Sequence, residues 1–264
     1  MRNVRPKKSL GQHFLTDLSI AERIAATLDP YRGTPVLEVG PGMGVLTQFL
    51  AERGHDLTVV ELDRESVAYL HHRFPQLDGR IIEADFLGLP LDRFARDAKL
   101  CVIGNYPYNI SSQIFFHVLE YRNLVACCSG MLQKEVAERI AAKPGSKTYG
   151  ILSVLIQAWY DVEYCFTVEP HVFNPPPKVK SGVVKLTRND VTDLGCDHRL
   201  FRSVVKTAFG QRRKTLRNSL RPLFAAKPEL LADDIFDKRP EQLSVAQFIE
   251  LTRTVQSLQP SMEK

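Results

Sequence analysis

Between residues 35 and 133, short apolar runs alternate with stretches in which apolar residues recur at helical spacing. The runs 35–39, 57–60, 81–86, 100–103 and 124–132 are mostly near-continuous in Val, Ile, Leu and Cys, the pattern of strands covered on both faces of a parallel sheet. The stretches 45–52, 65–74, 113–121 and 134–142 read as the covering helices. Repeated strand–helix units of this length predict an α/β fold. The regularity ends near residue 148. Residues 151–158 read as a helix and 160–168 as a strand, and Phe173-Asn174-Pro175-Pro176-Pro177 leads to a last strand at 182–186. Successive prolines are expected to hold that link stiff and extended. Beyond about Arg188 strand signals cease, and Leu200, Val204, Val205, Ala208 and Phe209, then Leu243, Phe248 and Leu251, fall at helical spacing. The chain therefore reads as a sheet domain, 1–188, and a small all-helical domain, 189–264. At the front, residues 1–16 read as a flexible basic arm, followed by a helix on Ile20, Ile24 and Leu28 capped by Thr16 or Asp17.

The carboxyl ends of the strands, where open α/β sheets bind ligands, carry the polar chemistry. The first strand runs into Glu38-Val39-Gly40-Pro41-Gly42-Met43-Gly44, whose alternate glycines allow a tight turn and close approach of a ligand to the backbone. A dinucleotide fingerprint needs a further glycine at position 45; that residue is Val, so a nucleoside lacking pyrophosphate fits better. The second strand ends in Glu61-Leu62-Asp63, 21 residues after Gly40, where an acid can accept both ribose hydroxyls. The third ends in Glu83-Ala84-Asp85-Phe86, with Asp85 placed for an exocyclic amine on adenine and Phe86 as an apolar wall. The fourth ends in Asn105-Tyr106-Pro107-Tyr108-Asn109, which suits a planar ring bearing an amine: Asn105 accepts from the amine and Tyr108 stacks on the ring. Together these edges describe S-adenosylmethionine lying along Gly40, Gly42, Glu61, Leu62, Asp85 and Phe86, its methyl group directed at Asn105 and Tyr108.

Composition narrows the class. A hydrophobic fraction of 44% and a charged fraction of 25% are ordinary for a globular protein with a full core. No secretory h-region and no apolar run of membrane-spanning length occurs, so a cytoplasmic protein without membrane association is expected. Cys101, Cys127, Cys128, Cys165 and Cys196 lack metal-ligand spacing, so no metal is expected and all five are expected to be reduced. The net charge of +5 is unevenly spread. Arg2, Arg5, Lys7 and Lys8 precede the first acid, Asp17. Arg199, Arg202, Lys206, Arg212, Arg213, Lys214, Arg217 and Arg221 then follow one another without an intervening Asp or Glu. Two such segments point to a nucleic-acid partner.

Several of these segments, taken together, resemble the bacterial small-subunit ribosomal RNA adenine dimethyltransferases. The family's Gly-Gln-Asn-Phe-Leu appears as Gly11-Gln12-His13-Phe14-Leu15, with His for Asn, and its glycine turn as residues 38–44. Its Asn-Leu-Pro-Tyr-Asn-Ile turn appears as residues 105–110, with Tyr106 for Leu. Met131-Leu132-Gln133-Lys134-Glu135-Val136, Phe173-Asn174-Pro175-Pro176-Pro177-Lys178-Val179 and Phe209-Gly210-Gln211-Arg212-Arg213-Lys214-Thr215-Leu216-Arg217-Asn218 also match. The resemblance implies a Rossmann-like class I methyltransferase sheet in 1–188 and a helical RNA-binding domain in 189–264. It implies S-adenosyl-L-methionine held by His13, Leu15, Gly40, Glu61, Asp85 and Asn105, and catalysis by Asn105 and Tyr108, with Phe173 closing the other face of the base. The implied reaction is double methylation of the N6 amine of two adjacent adenosines near the 3′ end of small-subunit ribosomal RNA, by a monomer acting on the immature subunit. Lys7, Lys8, Lys178, Lys180, Arg212, Arg213, Lys214 and Arg217 would then face the RNA. Two alternatives stay open: an antibiotic-resistance methyltransferase acting on adenine in large-subunit RNA, and an assembly factor that binds RNA without turnover. The intact Asn105 and Tyr108 favour turnover, and residues 211–218 with Asn109-Ile110 favour the small subunit.

Overall fold

The near-continuous apolar runs become neighbouring strands of one sheet. The computed structural model describes Pro6, Lys7 and residues 10–258. The chain forms two compact units: one is the chain up to Glu138 with Asp161–Arg188, the other Arg139–Tyr160 with the chain from Asn189 onward.

The first unit begins with β1 (Phe14–Leu15), α1 (Leu18–Ala26), β2 (Val36–Val39), α2 (Val45–Glu52), β3 (Leu57–Glu61), α3 (Arg64–Arg73) and β4 (Ile81–Glu83). It continues with β5 (Leu100–Asn105), α4 (Ser111–Glu120), β6 (Val125–Gln133) and α5 (Lys134–Ala141), which runs into the second unit. After α6 (Ile151–Gln157) come β7 (Tyr160–Val168), β8 (Phe173–Asn174) and β9 (Ser181–Arg188). The sheet order is β4-β3-β2-β5-β6-β9-β7. β2 to β6 run parallel, and β9 returns antiparallel to β6. The chain winds outward from β2 through β3 to β4, then crosses back to β5 on the other side of β2. That reversal is a switch point, where the loops diverge and leave a crevice. Val39 is in register with Val60 and with Gly104, so the turn after β2 lies between the ends of β3 and β5.

Every residue of β2 is buried, as a central strand requires. Ile24 of α1, Leu28 just beyond it, and Leu46 and Leu50 of α2 join one apolar core with residues of the strands. Asp17 caps α1 by accepting from the Ser19 amide at 2.9 Å. All five cysteines are free thiols. Burial pushes those of Cys127 and Cys128 up to about 12, far from thiolate chemistry.

Three sequence expectations change. The described part of the basic arm is held in place: Phe14 and Leu15 pair antiparallel with Asn174 and Phe173, and the amide and hydroxyl of Thr16 both donate to the Val172 carbonyl. Arg2, Arg5 and Lys8 lie outside the described residues. The proline link is not extended throughout, because its Asn174–Pro175 bond is cis after the short strand Phe173–Asn174; a 3₁₀ turn, Pro170–Val172, precedes it. Residues 139–160, which the sequence places with the sheet, group with the helical unit. The reason is visible in α6, whose Leu152, Ser153, Val154, Leu155 and Ile156 are all buried. A helix buried on all sides needs cover on all sides. The Tyr149 ring lies 6.3 Å from that of Phe209, Trp159 lies 5.0 Å from His198, and the Gly145 amide donates to the Glu241 carbonyl at 2.7 Å. This second unit is completed by α7 (His198–Gly210), α8 (Leu216–Ser219), short 3₁₀ turns and α9 (Val245–Leu258). Among the described residues, no helix is long and apolar enough to cross a membrane.

Candidate active site

The crevice at the switch point is lined by the ends of β2, β3, β4 and β5 and by residues 10–15. Its floor is the glycine turn. Gly40, Gly42 and Gly44 have φ of 67°, 55° and 74°, a region that costs other L-residues about 1–2 kcal/mol. The neighbours are as restrictive as the torsions. A Cβ on Gly42 would sit 2.9 Å from the Phe14 ring, and one on Gly44 would run into the Phe74 ring.

Glu61 ends β3 with its carboxylate buried and held by backbone. Oε2 accepts from the Gly42 amide at 3.0 Å, and Oε1 from the Leu62 and Asp63 amides at 2.9 Å. Burial raises its pKa against these three donors. Beyond it, Leu62 is 53% exposed at the mouth, a wall of the kind a base can lie against. Asp85 is exposed and accepts from the Leu87 amide at 3.0 Å, while Phe86 is buried edge-on to His117. Glu38, which sequence reasoning did not single out as a site residue, also lines the crevice. It is 1% exposed, its Oε2 has no hydrogen-bond partner, and burial, with the Glu61 charge adding to it, pushes its pKa up to about 8. A Glu on a central strand among apolar neighbours is the signal that could have found it.

Asn105 and Tyr108 are brought together on the turn after β5. The Tyr106 amide donates to the Met131 carbonyl at 2.9 Å, and its side chain runs away from the crevice into the core. There its hydroxyl donates to the Ser129 carbonyl at 2.7 Å, and its ring fills space that a Cβ on Gly104 or Gly130 would occupy. The Tyr-for-Leu exchange is thus absorbed beneath the site. The Asn105 amide nitrogen donates to the His13 carbonyl at 3.1 Å, which leaves the side-chain oxygen as the acceptor. Tyr108 is partly buried, its hydroxyl 2.5 Å from Ser181 Oγ and its ring stacked on His13 at 5.4 Å between centroids. Leu15 is buried beside Phe14.

Phe173 does not join this group. It is 4% exposed, pairs with Leu15 and belongs to the apolar core. The basic candidates also separate. Lys7 sets its ammonium on Asp63 and, at 3.3 Å, on Glu65. Lys180 pairs with Glu169 at 2.7 Å, and Lys178 is exposed. In the second unit, Arg217 grips Asp237 at 2.6 Å and Arg212 donates to the Lys147 carbonyl, whereas Arg213 and Lys214 are exposed.

The lining sorts ligands by charge. It offers carboxylates on Glu61 and Asp85, the Asn105 oxygen, the carboxyl of Glu38 kept neutral by burial, and no Lys or Arg among the described residues. A pyrophosphate would meet like charge and no donor side chain of opposite sign. A cationic nucleoside with an ammonium group, a ribose diol and an adenine amine presents donors to those acceptors, so S-adenosylmethionine fits the residues present.

Comparison with known proteins agrees. The model of a family described as ribosomal RNA adenine dimethylase matches residues 3–256. The chain is 69% identical over 252 residues to a ribosomal RNA small subunit methyltransferase A of Parabacteroides distasonis, covering 96% of this chain and 94% of the relative. It is 63% identical to the protein of the same description from Phocaeicola vulgatus, covering 96% and 91%. Among solved structures, a dimethyladenosine transferase from Plasmodium falciparum shares the fold at a TM-score of 0.79 and 23% identity, covering 93% of this chain and 98% of that one. A 23S rRNA methyltransferase, ErmE, superimposes at 0.67 and 25% identity, covering 91% and 99%.

Proposed function

The chain belongs to the ribosomal RNA adenine dimethylase family and is a methyltransferase, and from that premise we propose how its crevice works and on what. The substrate is small-subunit ribosomal RNA in an immature subunit. The enzyme acts as a cytoplasmic monomer and adds two methyl groups to the N6 amine of each of two adjacent adenosines near the 3′ end. The relatives at 69% and 63% identity support the small subunit over the large-subunit alternative, to which the likeness is 25%. The intact acceptor and stacking ring support turnover over RNA binding alone.

One observation carries the chemistry: the Asn105 amide is oriented by the His13 carbonyl, so its oxygen is the atom offered to an incoming amine. When bound, S-adenosylmethionine supplies an electrophilic methyl on a cationic sulfur. Glu61 would accept from its ribose hydroxyls and Asp85 from its adenine amine, with the glycine turn beneath. N6 of adenine is a weak nucleophile because its lone pair is delocalised into the ring. Asn105 accepts from its N–H and draws the lone pair out of conjugation toward the methyl, while Tyr108 holds the ring face, for roughly 1–3 kcal/mol. Positioning of this kind supplies the rate without a general base before attack, and the methylated amine then releases its extra proton to solvent. The base leaves its own stack to enter the crevice.

The test supplies methyl-labelled S-adenosylmethionine with unmethylated small subunits and, separately, with large-subunit RNA, and maps the label. Asn105→Ala is expected to abolish transfer while the protein still folds. Tyr108→Phe is expected to keep most of the activity and Tyr108→Ala little of it. Unchanged turnover in Asn105→Ala, or equal losses in the two Tyr108 variants, would refute the assigned roles.

A further inference from the structure

His13 stands where the family motif has Asn, and the resemblance implied only a cofactor contact for it. The structure gives it three connections that an Asn could not all make. Its carbonyl accepts from the Asn105 side-chain nitrogen at 3.1 Å. Its ring stacks on Tyr108, 5.4 Å between centroids with planes 29° apart, a favourable offset arrangement. Its Nδ1–H donates to the Pro175 carbonyl at 2.8 Å. On either side the chain has little freedom: a Cβ on Gly11 would press on the Asn109 amide at 2.9 Å, and Leu15 is paired with Phe173. One residue thus ties the turn after β5 to the proline link.

We infer that His13 is a positioning residue for methyl transfer, setting the acceptor direction of Asn105 and the plane of Tyr108 from the same side chain and carbonyl. This rests on the roles assigned above to those two residues. The imidazole covers one face of the Tyr108 ring, which leaves the opposite face for the target base. Ser181 Oγ, 2.5 Å from the phenol oxygen, fixes the far end of the same ring. With both ends held, the ring needs no ordering when the base arrives. Without the imidazole, Tyr108 can tilt and the turn that carries Asn105 can drift. A misplacement on the order of 1 Å costs roughly 10²-fold in rate.

The test separates positioning from cofactor contact. Affinity for S-adenosylhomocysteine is measured by calorimetry, single-turnover transfer to unmethylated small subunits by labelled methyl, and amide hydrogen exchange of residues 105–110 in the cofactor-free protein. His13→Ala is expected to transfer roughly 10- to 100-fold more slowly at saturating cofactor, a loss larger than its loss of S-adenosylhomocysteine affinity, and to exchange faster at 105–110. His13→Phe, which restores the stack, is expected to recover more rate than His13→Asn, which restores only a donor toward Pro175. The inference is overturned if His13→Ala transfers and exchanges as wild type does. It is equally overturned if the loss of rate is matched by the loss of S-adenosylhomocysteine affinity. If wild type itself fails to label small subunits, the proposed function falls, and unchanged exchange in His13→Ala still decides against positioning.

Discussion

Glu38 is the residue whose chemistry is furthest from its ordinary behaviour. Nothing pairs its Oε2, and burial together with the Glu61 charge lifts its pKa from 4.5 to about 8, so at neutral pH the folded protein holds it protonated. The unfolded chain releases that proton near pH 4.5. A folded pKa raised above the unfolded one contributes stability that is fully present below pH 4.5 and is lost as pH rises through about 8. At about 1.4 kcal/mol per unit, the interval corresponds to an order of 4–5 kcal/mol. Glu38→Gln keeps the shape, removes the proton equilibrium and removes the repulsion of Glu61. Unfolding free energies of the cofactor-free protein, from urea denaturation, are therefore expected to fall more steeply between pH 5 and 8.5 in wild type than in Glu38→Gln, by a few kcal/mol across the window. Parallel profiles would show that the carboxyl ionises in the fold without penalty.

Among the elements, the glycine turn and the β1–β8 pair act as one. Gly42 meets three demands: its φ of 55°, the closeness of the Phe14 ring, and an amide that donates to Glu61. Gly54 shares only the first, with φ 72° and open space around it. Both Gly42→Ala and Gly54→Ala are expected to lower stability by about 1–2 kcal/mol from backbone strain. Only Gly42→Ala is expected to weaken S-adenosylhomocysteine binding as well, by roughly tenfold or about 1.4 kcal/mol, because Phe14 must move and carries β1 with it. Similar affinities in the two variants would separate β1 from the binding site. The strands and the Gly40, Glu61, Asp85 and Asn105 edges were legible because apolar period and strand-end position are local properties of the chain. The closing of residues 10–15 over the crevice was not: a basic stretch with one Phe-Leu pair looks like an arm until β8, more than 150 residues away in sequence, supplies its partner strand. The same limit hid residues 139–160, whose helix reads like any other in a βα series until its buried surface meets α7. It also hid the burial of Phe173, since a Phe before prolines gives no sign of which side it faces.

Over the whole molecule, charge is where sequence and structure part most usefully. Residues 199–221 read as a uniform basic band, yet acids from outside that band discriminate within it. Asp237 takes Arg217 at 2.6 Å and Glu241 lies 3.8 Å from Arg212, while Arg213 and Lys214 remain exposed. A phosphate backbone attracts whichever cations are not already neutralised, and each contact releases counterions and steepens the salt dependence of binding. The structural and RNA-facing tasks should therefore fall on different residues of one segment. Arg213→Gln with Lys214→Gln is expected to leave the unfolding midpoint unchanged and to flatten the slope of log affinity against log salt by about 1–2 for small-subunit RNA. Arg217→Gln is expected to flatten it less and to lower stability by up to about 1 kcal/mol, the usual limit for an exposed ion pair. Filter binding across a salt series, beside urea denaturation of the same variants, reads both quantities. If Arg217 carries the slope and Arg213 with Lys214 do not, the Asp237 pair opens when RNA binds, and the basic band works as the bare sequence presents it.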